Sequence, residues 1–549
     1  MTYTTQNSDG NLSPKKSSWS IILTALAFIV VLVIAVAFRV PDLSLRPLHG
    51  DEANQAVKTG HLLEDGYYRY DPFEHHGPTL YYLTLPLLYG GGISTFEAST
   101  IVYYRAVPVF FGLLLILLLW PLRTALGNGA LIWTALFMAI STPMVFYSRY
   151  YVQEMLLVCF VQGAFTTAWL YCRRPRLGWA LLFGFFLGMV HATKETSIVV
   201  VFSACLSGAL ILLPVLMRDK FDLSKIKMVL QRPTILHILA AFIMAAFISV
   251  SFFSSFYTHA RGPLDSILTY FDYYVRAKGE GSSGIHDKPW YYYFVLLSYV
   301  YRQVGPRWTE APILAASILG ALAAIFVKSP KNTADTEEKK APFYFRRFLL
   351  FYTVSMVAVF SMIPYKTPWN LLPFYHGILL LGGLGIAETI RLVRYPLLRG
   401  IVILIALAGV LLVGRQCYFG NYVYFADTRN PYVYAHPSRA MEKLVDRVHD
   451  IAAISGKGKE LHVNIIRTDG DYWPLPWYFR GYTRIGWWHA IPEQADADMI
   501  LVAPELYESV QKHLKNEYFV EFQALRPGVL LYACIRQDLW DEFIAGRGG

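Results

Sequence analysis

Asp51 and Glu52 stand side by side where the chain leaves its first long apolar run, a depth at which ionised carboxylates are scarce without a partner or a role. A carboxylate held there can take the proton of a hydroxyl, which is a poor nucleophile until it is deprotonated. Other charges sit at comparable depth: Arg149 in Ser148-Arg149-Tyr150-Tyr151-Val152-Gln153-Glu154, Lys194 and Glu195 after His191-Ala192-Thr193, and Lys366 in Pro364-Tyr365-Lys366-Thr367-Pro368-Trp369-Asn370. Each marks the outer end of an apolar run, so carboxylates and cations are expected to converge on one outward-facing cavity. Such cations suit a lipid-linked phosphate, because Arg grips oxygens in pairs and Lys acts as a point charge. His75 and His76, ahead of Gly77-Pro78, add donors for the same phosphate. The alternatives are snorkelling to the headgroups for each cation, and plain solvation for the acidic pair. Adjacent histidines rarely ligate one ion, so no metal is predicted, while His beside carboxylate leaves a divalent ion open.

These residues need a scaffold that spans a membrane. The 549 residues are 55% hydrophobic and only 16% charged, and the apolar residues come in long runs joined by polar links. About eleven membrane-spanning helices are expected, over 19–40, 101–121, 129–147, 153–171, 178–194, 197–217, 235–256, 310–328, 346–363, 370–390 and 400–416. The first run has no small-residue cleavage site after it and reads as an anchor. The net charge of +10 could suggest nucleic acid, but the cations lie in alternate links, which is the signature of topology. The basic links, among them Arg173-Arg174 and Lys339-Lys340, place the N-terminus (1–18) in the cytoplasm. The 19–416 domain then has two long outer loops, 41–100 and 257–309. The first contains Thr79 to Gly90, too short to span and suited to the interface, with Tyr81, Tyr82 and Tyr89 at headgroup level. The second has a polar middle, Lys278 to Gly284, that reads as a lid, followed by Lys288-Pro289-Trp290-Tyr291-Tyr292-Tyr293.

Residues 417–549 read as an extracytoplasmic α/β domain. Helical periodicity over Met441 to Ala453 leads to a strand at Leu461 to Ile466. A strand at Met499 to Ala503, a helix at Pro504 to Leu514, and strands at Tyr518 to Ala524 and Val529 to Ile535 follow. Cys417 and Cys534 would form a disulfide or remain two free thiols. A Gly-rich phosphate fingerprint is missing, which argues against a nucleotide cofactor.

The motifs together resemble a known class. An acidic pair after the first span, Pro78-Thr79-Leu80-Tyr81-Tyr82, a short Arg-bearing outer link, Lys288-Pro289-Trp290-Tyr291-Tyr292-Tyr293 and Tyr365-Lys366-Thr367-Pro368-Trp369-Asn370 resemble the GT-C glycosyltransferases. Within them the chain is similar to the protein O-mannosyltransferases and the aminoarabinose transferases that modify lipid A. His49-Gly50-Asp51-Glu52-Ala53, Asn430-Pro431-Tyr432-Val433-Tyr434-Ala435-His436 and Asp471-Tyr472-Trp473-Pro474-Leu475-Pro476-Trp477-Tyr478 look closest to an archaeal and bacterial branch labelled flippase-associated. The resemblance implies a GT-C-like polytopic fold and transfer of a sugar from a polyprenyl-phosphate donor, without a nucleotide, to a glycan, lipid or protein acceptor outside the cell membrane. It implies Asp51 as general base, with Glu52 beside it at the catalytic centre, and inversion by single displacement. Arg149, Lys194, Lys366, His75 and His76 would hold the phosphate. Tyr81, Tyr82, Glu154, Lys288, Trp290 and Asn370 would line the substrates. Relatives often have Lys-Pro-Pro or His-Pro-Pro where this chain has His76-Gly77-Pro78, so the phosphate anchor there shifts to His75, His76 or Lys366.

Two other classes compete. A transporter or flippase component accounts for the spans, but an internal repeat is missing and the charges gather at one face instead of the midplane. A scaffold would use the C-terminal domain to bind partners. The charge pattern predicts that reporter tags after Arg174 and after Lys340 read as cytoplasmic and a tag after Gly549 as external. A cytoplasmic C-terminal tag would contradict the placement of Asp51 and the tail on the outer side.

Overall fold

The computed structural model describes residues 15–73, 76–218, 232–277, 286–302, 304–327, 337–437 and 439–547. His75 and the Lys278 to Gly284 stretch expected to act as a lid lie outside the described residues. Eight described helices are long and apolar enough to cross a membrane: Trp19–Arg39, Ile101–Leu126, Glu154–Arg173, Ser197–Pro214, Thr234–Phe253, Lys340–Met362, Pro368–Leu392 and Pro396–Val423. The shorter apolar helices Leu177–His191 and Ala311–Phe326 and one bent pair fill the remaining expected segments.

The bent pair corrects the expectation of a continuous helix over 129–147. Asn128–Ile140 and Thr142–Ser148 meet at 60°. Pro143 cannot donate to a carbonyl one turn back, and its ring crowds that turn. The carbonyls exposed at the break are taken by the buried Arg39, whose guanidinium donates to Ala139 at 3.0 Å and Met138 at 2.6 Å. A cation at the end of the first span is thereby used to close a helix break.

Tight crossings depend on small residues, since lipid gives helices little hydrophobic reason to associate. A Cβ on Gly320 would stand 1.9 Å from the Leu381 carbonyl oxygen, and one on Gly385 would stand 1.9 Å from that of Ala316. Helices Ala311–Phe326 and Leu372–Leu392 therefore meet backbone to backbone.

Two helices lie in the stretch 41–100. Gly50–Asp65 begins at the acidic pair, and Thr79–Gly90 has the bounds expected for the interfacial helix. In the second loop, Tyr292–Ser298 leads to a small antiparallel hairpin of β1 (Val300–Tyr301) and β2 (Arg307–Trp308).

The C-terminal region has a helix, Arg439–Ile454, and strands β3 (Val463–Ile466), β4 (Ile485–Trp488), β5 (Met499–Val502), β6 (Tyr518–Arg526) and β7 (Val529–Arg536). They form one sheet in the order β4-β3-β5-β7-β6, parallel between β3 and both β4 and β5, antiparallel elsewhere. Alternate residues bury on opposite faces. Val463, Ile465, Met499 and Leu501 pack with Met441, Leu444 and Val448 of the helix, while Ile466, Ile500 and Val502 pack on the other side with Val510 and Cys534.

Three local expectations change. The helix expected over Pro504 to Leu514 is a 3₁₀ turn, Pro504–Leu506, and a short helix, Tyr507–Gln511. β4 and the final helix, Gln537–Arg547, were not anticipated; β4 is short, and Gly486 interrupts its pattern. Cys417 belongs to the last span and Cys534 to β7, and both are buried free thiols.

The glycine crossing yields a test. Gly385→Leu is expected to lower the thermal midpoint of the detergent-solubilised protein, corresponding to about 1–3 kcal/mol of overpacking. Gly400→Leu, where nothing lies within 4 Å of an added Cβ, should leave it unchanged.

Candidate active site

The acidic pair occupies the first turn of the helix Gly50–Asp65, where the exposed N–H groups and helix dipole favour negative charge. Successive residues on a helix point about 100° apart, so the two carboxylates part company. Glu52 is fully buried. It accepts from Arg105 Nε at 2.8 Å and Nη2 at 2.7 Å, from Tyr151 N–H at 2.9 Å and from His49 N–H at 3.2 Å. Burial alone would raise its pKa, but the Arg105 guanidinium and these donors hold it down at about 2. Its place is inside the protein wall, whereas the sequence put it at the chemistry beside Asp51. Asp51 turns outward, with 51% of its side chain exposed.

His49 closes the turn. Its Nδ1 accepts the Asp51 N–H at 3.0 Å, which leaves the ring proton on Nε2. Burial keeps the ring below its ordinary pKa despite the nearby Asp51 and Glu52 carboxylates. It is neutral at physiological pH and serves as a cap, so the 3.8 Å approach of Nδ1 to the Asp51 carboxylate is not an ion pair.

An aromatic wall surrounds this turn. The His49 ring lies 5.5 Å from Tyr150, 5.5 Å from Trp369 and 5.2 Å from His436, centre to centre. Tyr150 stacks with Trp369 at 5.9 Å, and Trp369 meets Tyr434 edge-on at 5.8 Å. Arg46 is buried over Tyr150 at 4.7 Å and Phe146 at 4.4 Å. Tyr434 pairs with His286 at 2.9 Å. Burial, with Asp51 nearby, pushes the Tyr434 hydroxyl up to about 12. Burial lowers the His286 pKa, and Asp51 partly opposes it.

The expected cations fall into separate groups. Arg149 is occupied, donating to the carbonyls of Arg39 at 2.9 Å, Pro41 at 2.6 Å and Asp42 at 3.0 Å while it covers the Tyr422 ring. It clamps the C-terminal end of the first span, and its neighbour Tyr150 reaches the Asp51 wall instead. Lys194 is ion-paired with Glu154 and donates to Asn370 at 3.0 Å. His76 meets Glu195 at 2.7 Å. Burial works against the Glu195 charge, but His76 and Lys194 outweigh it and lower its pKa. This group lies beside the helix Gly50–Asp65, because Gln153, next to Glu154, donates to Gln55 at 2.9 Å. Lys366 donates from Nζ to the carbonyls of Ile363 and Lys288. Its N–H meets the His286 carbonyl at 2.9 Å, which ties it to the segment flanking Asp51. Burial lowers its pKa, with Asp287 opposing.

Tyr81 is fully buried and donates to Gln55, so it lies inside the protein and not at the headgroups. Tyr82 is half-buried against Phe256, and only Tyr89 of the three is exposed. Trp290 is exposed and, with Phe294, lines an apolar cavity of about 410 Å³ between Ala311–Phe326 and the helix ending at Met362. Among the described residues no three His, Cys, Asp or Glu side chains form a metal-ligand set.

Residues 81–258 match the family described as dolichyl-phosphate-mannose-protein mannosyltransferase. The chain is similar in structure to ArnT from Cupriavidus metallidurans in the apo state, with a TM-score of 0.57 at 14% identity over 96% of this chain and 99% of that one. The same protein bound to undecaprenyl phosphate gives 0.54 at 13% identity, over 95% and 99%. The Archaeoglobus fulgidus oligosaccharyltransferase, tethered to an acceptor peptide, gives 0.54 at 12% identity, over 94% and 74%. The chain has the GT-C fold. No curated protein matches it. Within this GT-C chain, sequence reasoning missed Arg46, His49, Arg105, Tyr150, Trp369, Tyr434 and His436. Most of them lie within a few residues of the charges it selected, in the same motifs.

Breaking a buried pair strands the remaining charge, at a cost of about 3–5 kcal/mol. Glu52→Gln and Arg105→Met should each destabilise the protein on that scale, and the double variant by much less than their sum, in chemical unfolding. The Glu52 pKa is depressed on folding, so its contribution is complete above its ordinary value and drains away as pH falls toward 2. Glu52→Gln should flatten that acid limb.

Proposed function

We propose that this chain is a membrane glycosyltransferase that moves a sugar from a polyprenyl-phosphate donor to an acceptor hydroxyl at the outer face of the cell membrane. The observation that carries the reading is the division within the acidic pair: Glu52 is buried and neutralised, while Asp51 stands half exposed on a rigid helix terminus. Asp51 takes the acceptor proton as the acceptor oxygen attacks the anomeric carbon. The bond to the phosphate oxygen breaks from the opposite side, which inverts that carbon. The phosphate leaves with its charge, so no strong general acid is needed, and cations at its oxygens lower the barrier.

Lys288 and Lys366 are the cations on the segments beside the apolar cavity that Trp290 begins; Lys366 is buried and donates to the Ile363 and Lys288 carbonyls, so it would reach the phosphate only by giving up those bonds. A polyprenyl tail would lie in that cavity with its phosphate toward Lys366. Undecaprenyl phosphate bound to ArnT, a protein of the same fold, supports this class of donor. Lys194, Glu154 and Asn370 would hold the sugar or support the site from below, and Arg149 would fix the first span. Alternating basic links support an outward-facing Asp51 and C-terminal domain.

Asp51→Asn keeps size and hydrogen bonding but removes basicity. It should cut transfer by at least ~10²-fold in a single-turnover assay with radiolabelled polyprenyl-phosphate sugar. Binding of undecaprenyl phosphate, read as a thermal shift, should survive. Near-normal transfer by Asp51→Asn would remove this assignment. Lys366→Ala should weaken undecaprenyl phosphate binding, and an unchanged thermal shift would return Lys366 to a structural role.

A further inference from the structure

The sheet of the C-terminal domain turns one end toward Asp51. The chain leaves β3 for β4 on one side, whereas the chain after β5 goes to β6 and β7 on the other. The segment that follows β3 crosses this end and reaches the membrane domain. There the Tyr478 hydroxyl accepts the Leu48 N–H at 3.1 Å. A Cβ on Gly50 would meet the Trp473 Cβ at 3.3 Å, one residue from Asp51.

From Trp473 a line of rings runs away from Asp51 across the domain. Tyr472 is 6.4 Å from Trp473, 4.8 Å from Trp487 and 6.1 Å from His489, centre to centre. Trp473, Tyr472 and Trp487 are partly exposed, and His489 is exposed. Beside them Asp471 pairs with Arg526, which also donates to the Trp473 carbonyl at 3.0 Å. About a third of the Asp471 side chain is open to solvent, at 32%. Trp477, in contrast, is buried, so the motif splits into a packed half and an open half.

We infer that this ledge is the acceptor subsite and that the acceptor is a glycan. The inference rests on the transferase reading of Asp51 and adds the class of its acceptor. Aromatic faces carry negative charge density and take the C–H faces of sugar rings. A half-open carboxylate paired with a guanidinium offers an acceptor and donors to neighbouring hydroxyls. Tyr472 and Trp487 pack against the domain core yet stay partly open, and with Trp473, His489 and the ion pair they present rings edged with polar groups, which matches a ligand made of flat C–H faces edged with hydroxyls. Its proximal ring abuts the Asp51 turn, so a glycan lying along it presents its terminal hydroxyl to the base.

The test is isothermal titration calorimetry on the full-length protein in nanodiscs, with mannohexaose, cellohexaose and chitohexaose, and with a Ser/Thr-containing peptide as the competing class. Undecaprenyl phosphate binding is measured separately by thermal shift. At least one hexasaccharide should bind saturably. Trp473→Ala and Tyr472→Ala should weaken it at least tenfold and Asp471→Asn several-fold, while Trp473→Phe retains it. All should leave undecaprenyl phosphate binding unchanged. No binding by any hexasaccharide, binding indifferent to these substitutions, or peptide binding that they abolish would overturn the inference. Loss of undecaprenyl phosphate binding by the unaltered protein would instead strike the transferase reading, because the saccharide titration does not depend on the donor.

Discussion

The position of Asp51 depends on a guanidinium buried far from it in sequence. Arg105, on the span that begins at Ile101, binds both oxygens of Glu52 and also donates to the carbonyls of Leu43 at 2.7 Å, Arg46 at 2.9 Å and Pro47 at 3.3 Å. One side chain thus gathers an irregular segment that has few partners of its own and ends it at a defined helix start. Because both oxygens of Glu52 are held, the helix cannot rotate, and the next carboxylate must face out. A buried pair of this kind is weak support for stability but a strong fix on geometry. Here it fixes the direction of one carboxylate.

Around that point the protein puts neutral rings where bare sequence suggests charge. His49 is a deprotonated cap, and Trp369, Tyr150 and Tyr434 exclude water from one side of the Asp51 turn. Cations are used elsewhere for construction. Arg39 satisfies the carbonyls freed at the Pro143 bend, Arg149 gathers those at the end of the first span, and Lys194 neutralises Glu154. Each relieves a polar group that lipid cannot satisfy. A charge at membrane depth can therefore be structural even when it sits at the expected end of a span.

The C-terminal domain has its own two-sided core, yet its segment after β3 packs on the start of the helix Gly50–Asp65, and His436 and Tyr434 from the connecting stretch belong to the Asp51 wall. The site is thus built by both regions of the chain. This gives the aromatic motif at 471–478 two uses: Trp477 and Tyr478 dock the domain, and Tyr472 and Trp473 remain at its edge.

The sequence alone determined most of the spans, though not the bend at Pro143, because a long apolar run in a membrane must satisfy its backbone hydrogen bonds inside the helix. It also determined the bounds of the helix Thr79–Gly90 and most strands of the C-terminal sheet, where apolar period and turn residues agree. It pointed to the stretches that meet at the site, through the motifs around 49–53, 148–154, 365–370 and 430–436. Which residue of each stretch faces the site was decided by tertiary structure. One step along a helix turns a side chain by about 100°, so Asp51 and Glu52, or Arg149 and Tyr150, part to different surroundings. Arg105 could not be found from its own neighbourhood, since its partners lie on a segment that only the packing of spans brings beside it.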